Sequence, residues 1–249
     1  MEKDIIKKNV RERYGSIALA GSSDCCSPEC CSGGTPVQAA TLVGYDAKEL
    51  ESVPQASIIG ASCGAPVGFA NLQKGEMVVD LGSGAGIDVF LSANRVGMSG
   101  RVIGIDITEE MLDRARKNAG NNGYANVEFR KGDIEAGIPV DGNSVDAVIS
   151  NCVINLTTDK VAAFREIHRI LKSGGRMVIS DLVADRKADS INLERWSSCI
   201  DGALAKDDYL ASLKEAGFKD ASVLEERQFM SGELIGGRKI TSLVVRAVK

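Results

Sequence analysis

One nine-residue stretch restricts this chain more than any other: VVDLGSGAG, residues 78–86. A short apolar run leads straight into glycines at positions 82, 84 and 86. That order reads as a buried strand ending in a turn whose backbone can take positive φ and approach a ligand closely. A dinucleotide fingerprint would place Gly or Ala one residue after Gly86, where this chain has Ile87. The turn alone is weak evidence that leaves a purely structural bend open, so its meaning depends on what surrounds it.

The surroundings alternate. EMVVDL (76–81), RVIGID (101–106), NVEFRKGD (126–133), VDAVISN (145–151) and RMVISDLV (176–183) read as strands. Between them lie helical patterns: the segment IDVFLSANRVG, a helix capped by Thr108 with Met111, Leu112 and Ala115 on one face, and a helix over 159–171 with Val161, Phe164, Ile167 and Leu171 inward. Strands alternating with helices predict an α/β fold with a mainly parallel, doubly wound sheet. Asp207 or Asp208 is expected to cap a later helix, and FKDASVLEERQF with KITSLVVRAV to close the sheet as an antiparallel pair. Ahead of this core, an amphipathic helix is expected over 2–14, with Ile5, Ile6, Asn9, Val10 and Arg13 at helical spacing. A turn-rich arm, AGSSDCCSPECCSGGTP (20–36), follows it, then a short helix capped by Asp46 and closed by Pro54. The expected division is 1–54, helix and Cys-rich arm, and 55–249, the catalytic domain.

Three carboxylates fall at three successive strand ends: Asp80, Asp106 and Asp133. In a parallel sheet these ends converge on the ligand side. A carboxylate at Asp106 can accept from both hydroxyls of a ribose, and one at Asp133 can meet an exocyclic amine. Each alone is compatible with a helix cap. The set Asp80, Gly82, Gly84, Gly86 resembles the motif of class I S-adenosylmethionine methyltransferases. The resemblance spans roughly 75–183 and implies their Rossmann-like seven-stranded doubly wound sheet and S-adenosylmethionine as cofactor. It implies that Asp106 holds the ribose and that Asp133 with Ile134 holds the adenine. Ser83, Ile107, Met111 and Glu135 are expected beside them.

Composition then narrows the chemistry. The chain has one histidine and seven cysteines, so a multi-histidine metal site is excluded and soft sulfur is plentiful. His168 lies in a helical pattern and reads as a packing residue. Thirty basic residues against 34 acidic ones, and 4% aromatics, argue against nucleic acid as partner. No signal-peptide pattern is seen, and no apolar run nears the roughly 18 residues of a membrane span. A cytoplasmic protein without a membrane partner is expected, with thiols mostly reduced. An odd cysteine count also fits poorly with a purely structural disulfide framework.

Cys63 precedes the glycine strand, Cys152 follows VDAVISN, and Cys199 lies in an irregular segment over 186–204 that reads as a partial lid. A lone buried Cys is usually a small hydrophobe. Three in loops near one sheet edge suggest a soft, thiophilic ligand. The stretches VRERYGSIA, ASCGAP, DLGSGAGID, GDIEAGIP, SNCVINL and RWSSCIDGAL, with the cysteine-rich arm, resemble arsenite methyltransferases over most of the chain. The resemblance implies that Cys63, Cys152 and Cys199 hold trivalent arsenic, with Asn151 and Val153 lining the cofactor pocket. It implies arsenic arriving as a thiol complex, and a thiol reductant such as glutathione or thioredoxin. Cys25, Cys26, Cys30 and Cys31 are then candidates for arsenic capture or thiol exchange; adventitious metal binding and an incidental tail stay open. Two rival readings are a small-molecule C- or O-methyltransferase with packed cysteines, and a non-catalytic heavy-metal-binding module.

Overall fold

The computed structural model describes residues 2–20, 35–229 and 232–249. The four arm cysteines, Cys25, Cys26, Cys30 and Cys31, lie outside the described residues. The opening helix α1 (Glu2–Ala20) runs past the expected end, and its buried side carries Ile6, Val10 and Ile17. Ile5, expected inward, is exposed. Short helices α2 (Pro36–Leu42) and α3 (Ala47–Glu51) follow. Asp46 caps α3 as expected, accepting from the N–H groups of Lys48 and Glu49. A 3₁₀ turn (Gln55–Ser57) and α4 (Pro66–Phe69) lead to the sheet.

The alternation read from the sequence is realised as β1 (Met77–Leu81), α5 (Ile87–Val96), β2 (Arg101–Asp106), α6 (Glu109–Asn121), β3 (Val127–Lys131), β4 (Val145–Asn151), a 3₁₀ turn (Ile154–Leu156), α7 (Lys160–Ile170) and β5 (Leu171–Ala184). The chain continues as α8 (Leu193–Ser197), α9 (Lys206–Glu215), β6 (Asp220–Gln228), a two-residue β7 (Leu234–Ile235) and β8 (Arg238–Val248). The strand order is β3-β2-β1-β4-β5-β8-β6, with β7 paired to β8 off this path. β1 to β5 pair in parallel, and β8 runs antiparallel to both β5 and β6. Seven strands in a mainly parallel sheet match the expected fold. β1 lies between β2 and β4, so the strand order reverses there, which is where such sheets bind ligands.

Both sheet faces are covered, and alternate strand residues show which way each points. Val79, Leu81, Val148 and Ile179 share a core with Phe164 and Ile167 of α7 and Leu213 of α9. Val78, Ala147, Ile149 and Val178 share another with Phe90 of α5 and Leu112 of α6. Ala40, Tyr45, Leu50 and Val53 pack into that second core, so the described part of the N-terminal region beyond α1 is continuous with the sheet. Two cap expectations change. The N-cap of α9 is Ala205, with Asp207 and Asp208 inside its first turn, and Thr108 occupies the cap position of α6 without a side-chain cap bond. Among the described residues, no helix is long and apolar enough to cross a membrane.

Candidate active site

The C-terminal ends of β1, β2 and β4 open into a cleft of about 1030 Å³ including its mouth, ample for a nucleoside-sized ligand. The glycine turn forms its floor. The N–H groups of Gly82 and Ser83 both donate to the Ile105 carbonyl, at 2.7 and 3.0 Å, which folds the turn onto β2. Gly82 has φ of 70°, and a Cβ there would overlap Val153. Glycine is thus required both by the backbone and by the close approach of the β4 loop. Asp106 knits the turn to α6: its carboxylate accepts from Gly84 N–H at 2.9 Å and from Thr108 N–H at 2.8 Å.

The cleft is acidic. Burial pushes the Asp80 carboxyl well above the usual carboxylate range, and the neighbouring Asp88 and Asp106 charges add to this. Burial also raises Asp88, to about 6, against hydrogen bonds from the Tyr45 hydroxyl (2.8 Å to the nearer oxygen) and Asn151. Asp106 is raised by burial, opposed by its backbone donors. Among the described residues the buried Ser83 hydroxyl has no hydrogen-bond partner. Three crowded carboxylates and an orphan hydroxyl suit a ligand carrying both positive charge and polar groups.

Asp80, Gly82, Ser83, Gly84, Asp106, Ile107, Asp133, Ile134, Glu135, Asn151 and Val153 all line this cleft. Gly86 and Met111 stand behind it. Gly86 takes φ of 100° at the start of α5, against Phe90, and Met111 is buried with Ile17 and Ala85 between α6 and α1.

The three scattered cysteines fall in one region, but among the described residues the group whose ligand atoms lie within 4.8 Å of one another is Cys63, Cys152 and Asp181, without Cys199. Cys63, Cys152 and Cys199 share one buried cluster with Leu182, Ile200 and Ile240. Cys63 and Cys152 are joined as a disulfide, with Cα atoms 5.9 Å apart, so Cys199 is the free thiol of the three. Each cysteine is held by the backbone. Cys63 N–H donates to Asn151 Oδ1 at 3.2 Å, and its carbonyl accepts from Ser242 Oγ at 2.6 Å. Cys152 N–H donates to Ser180 O at 2.8 Å, and the Cys199 thiol donates to Cys152 O at 2.8 Å.

Cys152 and Cys199 have φ of 57° and 64°. The left-handed region costs a non-glycine residue roughly 1–3 kcal/mol and is commonest at functional sites. Burial, with Asp181 nearby, pushes the Cys199 thiol well above its ordinary range, against Lys160 and Arg13. Asp181 offers a carboxylate oxygen within 4.8 Å of both Cys63 and Cys152 sulfurs. Its own carboxyl is raised to about 7 by burial, opposed by Lys160 and by backbone donors. The segment over 186–204 packs beside the cluster and is pinned from below: Arg238, almost fully buried, donates to Asp201 Oδ1 at 3.0 Å and to the Ile200 carbonyl at 2.9 Å. Trp196 Nε1 donates to Leu156 O at 3.1 Å, and the buried Lys160 ammonium sits 5.6 Å from the centre of the Trp196 ring. His168 stacks edge-on against Phe218 at 5.2 Å and takes no part in the cleft.

A family described as a methyltransferase domain matches residues 72–217, more than half of the chain. The chain belongs to this family. The chain is 42% identical, over 90% of its length, to an arsenite methyltransferase of Halobacterium salinarum, and covers 61% of that protein. It is 37% identical, over 88% of the chain, to an arsenite methyltransferase of Aquipseudomonas alcaligenes, covering 64% of it. It superposes with a TM-score of 0.66 and 31% identity on the crystal structure of an arsenic(III) S-adenosylmethionine methyltransferase from Chlamydomonas reinhardtii. That match takes in 86% of this chain and 73% of the other. The chain thus spans under two thirds of the length of these two curated relatives.

Several groups of this chain escaped the sequence reading. Asp88 stands within DLGSGAGID but looks like an ordinary first-turn acid. Tyr45, hydrogen-bonded to Asp88 across 43 positions, gives no local signal. Asp181 did have one: it is the charged residue inside the apolar run RMVISDLV. Lys7 reaches the cleft from α1, across 126 residues, and no spacing rule could place it there.

Proposed function

We propose that this chain is an arsenite methyltransferase that uses S-adenosylmethionine to methylate trivalent arsenic held by Cys63, Cys152 and Cys199. The observation that carries this reading is the junction of the cysteine cluster with the glycine-turn cleft. Asn151 and Val153 line the cleft on either side of Cys152. Residues 55–249 would carry both sites, with 1–54 supplying α1 and the cysteine arm.

The cleft fits the cofactor. Asp80, beside Asp88, faces the place for a cationic amino-acid end; Asp106 would accept from ribose hydroxyls, and Asp133 with Ile134 would hold the adenine. When bound, the cofactor supplies an electrophilic methyl on a sulfonium. The chain's part is to hold the acceptor in line and dry. Arsenic delivered as a tris-thiol complex exchanges ligands with three cysteine thiols, releasing three small thiols, so protons balance. The arsenic lone pair is then the nucleophile and no general base is required, consistent with a single histidine placed elsewhere. Loading first requires reduction of the Cys63–Cys152 disulfide by two equivalents of a thiol such as glutathione or by a thioredoxin, which leaves as the oxidised disulfide. A reducing compartment such as the cytoplasm suits that step. Cys25, Cys26, Cys30 and Cys31 would take part in arsenic capture or thiol exchange.

The test is one incubation with methyl-labelled S-adenosylmethionine, arsenite and a thiol, followed by arsenic speciation. Labelled methylarsenicals are expected. Tight arsenite binding without transfer would make the chain a metal-binding module. Neither binding nor transfer would point to another acceptor.

A further inference from the structure

The helix α1 forms one wall of the cofactor cleft. Lys7, Val10 and Tyr14, spaced so that they share a helix face, line it. At the rim the Lys7 ammonium lies 2.6 Å from Asp133 Oδ2 and 2.5 Å from Glu135 Oε1, and its side chain is only 24% exposed. Glu135 is fixed independently by the N–H groups of Thr158 and Asp159, at 2.7 and 2.8 Å. One ammonium thus separates two carboxylates that would otherwise repel, and ties a helix from the start of the chain to the loop after β3 and, through Glu135, to the start of α7. Lys7 occupies Asp133 Oδ2, while among the described residues Oδ1 accepts the longer 3.2 Å bond from Glu135 N–H alone. That leaves Oδ1 lone-pair capacity for an incoming amine. Six residues on, Arg13 of the same helix donates to Ser197 Oγ at 3.3 Å, in the helix that leads into Cys199.

We propose that Lys7 is a positioning residue of the cofactor site: by bridging Asp133 and Glu135 it closes α1 over the cleft and holds Asp133 where the adenine amine is received. The inference rests on the cleft taking S-adenosylmethionine, and it concerns residues that touch neither arsenic nor the transferred methyl. Without Lys7 the wall is unlatched, and two adjacent carboxylates repel.

The experiment is calorimetric titration of S-adenosylmethionine into the reduced full chain, wild type and Lys7→Met, with steady-state kinetics in parallel. Lys7→Met should raise Kd about five- to thirtyfold, with the loss falling on KM for the methyl donor rather than on kcat. Arsenite binding should be unmoved, and Lys7→Arg should restore most of the affinity. Glu135→Gln should weaken binding in the same direction, with little further loss in the double variant, because both break one bridge. Equal or tighter cofactor binding by a folded Lys7→Met would overturn the proposal. Failure of the wild type to bind the cofactor at all would instead overturn the functional reading beneath it.

Discussion

The cofactor cleft and the cysteine cluster adjoin each other yet are built in opposite ways. The floor of the cleft comes from one continuous stretch: a strand, a glycine turn and a helix, with Asp106 bound back onto Gly84 only 22 residues earlier. The cluster comes from three segments separated by 89 and 47 residues. Two of its cysteines sit in left-handed backbone, and the segment beside it is pinned by a buried Arg238–Asp201 pair. A cleft made of backbone N–H groups and strand-end acids tolerates many neighbours, which is how one fold serves many acceptors. Under the proposed function, a cluster made of long-range contacts would be the part that sets what is methylated.

The sharpest way to break this division is Cys199→Ser. Arsenite turnover should fall more than a hundredfold while the Kd for S-adenosylmethionine stays within about twofold; parallel loss of cofactor binding would show that the two regions are one. The reverse experiment is Gly82→Ala. Its added methyl meets Val153 at a φ of 70°, and together left-handed strain and overpacking cost on the order of 2–4 kcal/mol. Cofactor affinity should drop more than tenfold, with arsenite binding by the reduced protein retained.

A third test uses pH. The folded-state carboxyl of Asp181 sits at about 7, far above its unfolded value. Between those values the folded protein binds the extra proton, so this group makes stability fall as pH rises towards 7. The slope is at most about 1.4 kcal/mol per pH unit. Denaturant melts of wild type and Asp181→Asn should therefore shift in favour of the variant between pH 5 and pH 8; a constant difference would remove Asp181 as the cause. The smallest effect belongs to the residues that join the regions. Asn151 donates to the Tyr45 hydroxyl at 2.8 Å and accepts from Cys63 N–H. Tyr45→Phe should cost about 1 kcal/mol in both cofactor and arsenite binding, and an effect confined to one ligand would mean that this network does not couple them.

Legibility followed the same division. The cleft was readable because its motif is local: a glycine turn after a strand, then acids at strand ends. Met111, expected beside the cofactor, is not among the residues that line the cleft. A methionine near the start of α6 has no periodicity that separates facing a ligand from facing α1, and packing against Ile17 settled it. Cys63, Cys152 and Cys199 were readable as candidates through composition, while the bond between two of them was not, since loops 89 residues apart carry no pairing signal. Lys7 was invisible for the same reason, and Ile5 shows that a helical pattern fixes the face only approximately.

The Ser242–Cys63 contact has a consequence in time. The two residues are 179 positions apart, and Ser242 lies on β8, which enters the sheet between β5 and β6. As the chain leaves the ribosome, β1, β2, β3 and their helices emerge first and can fold on short-range contacts. The carbonyl of Cys63 waits for its hydroxyl partner until β8 arrives, so the glycine-turn cleft can be shaped before the cysteine cluster proposed to hold arsenic.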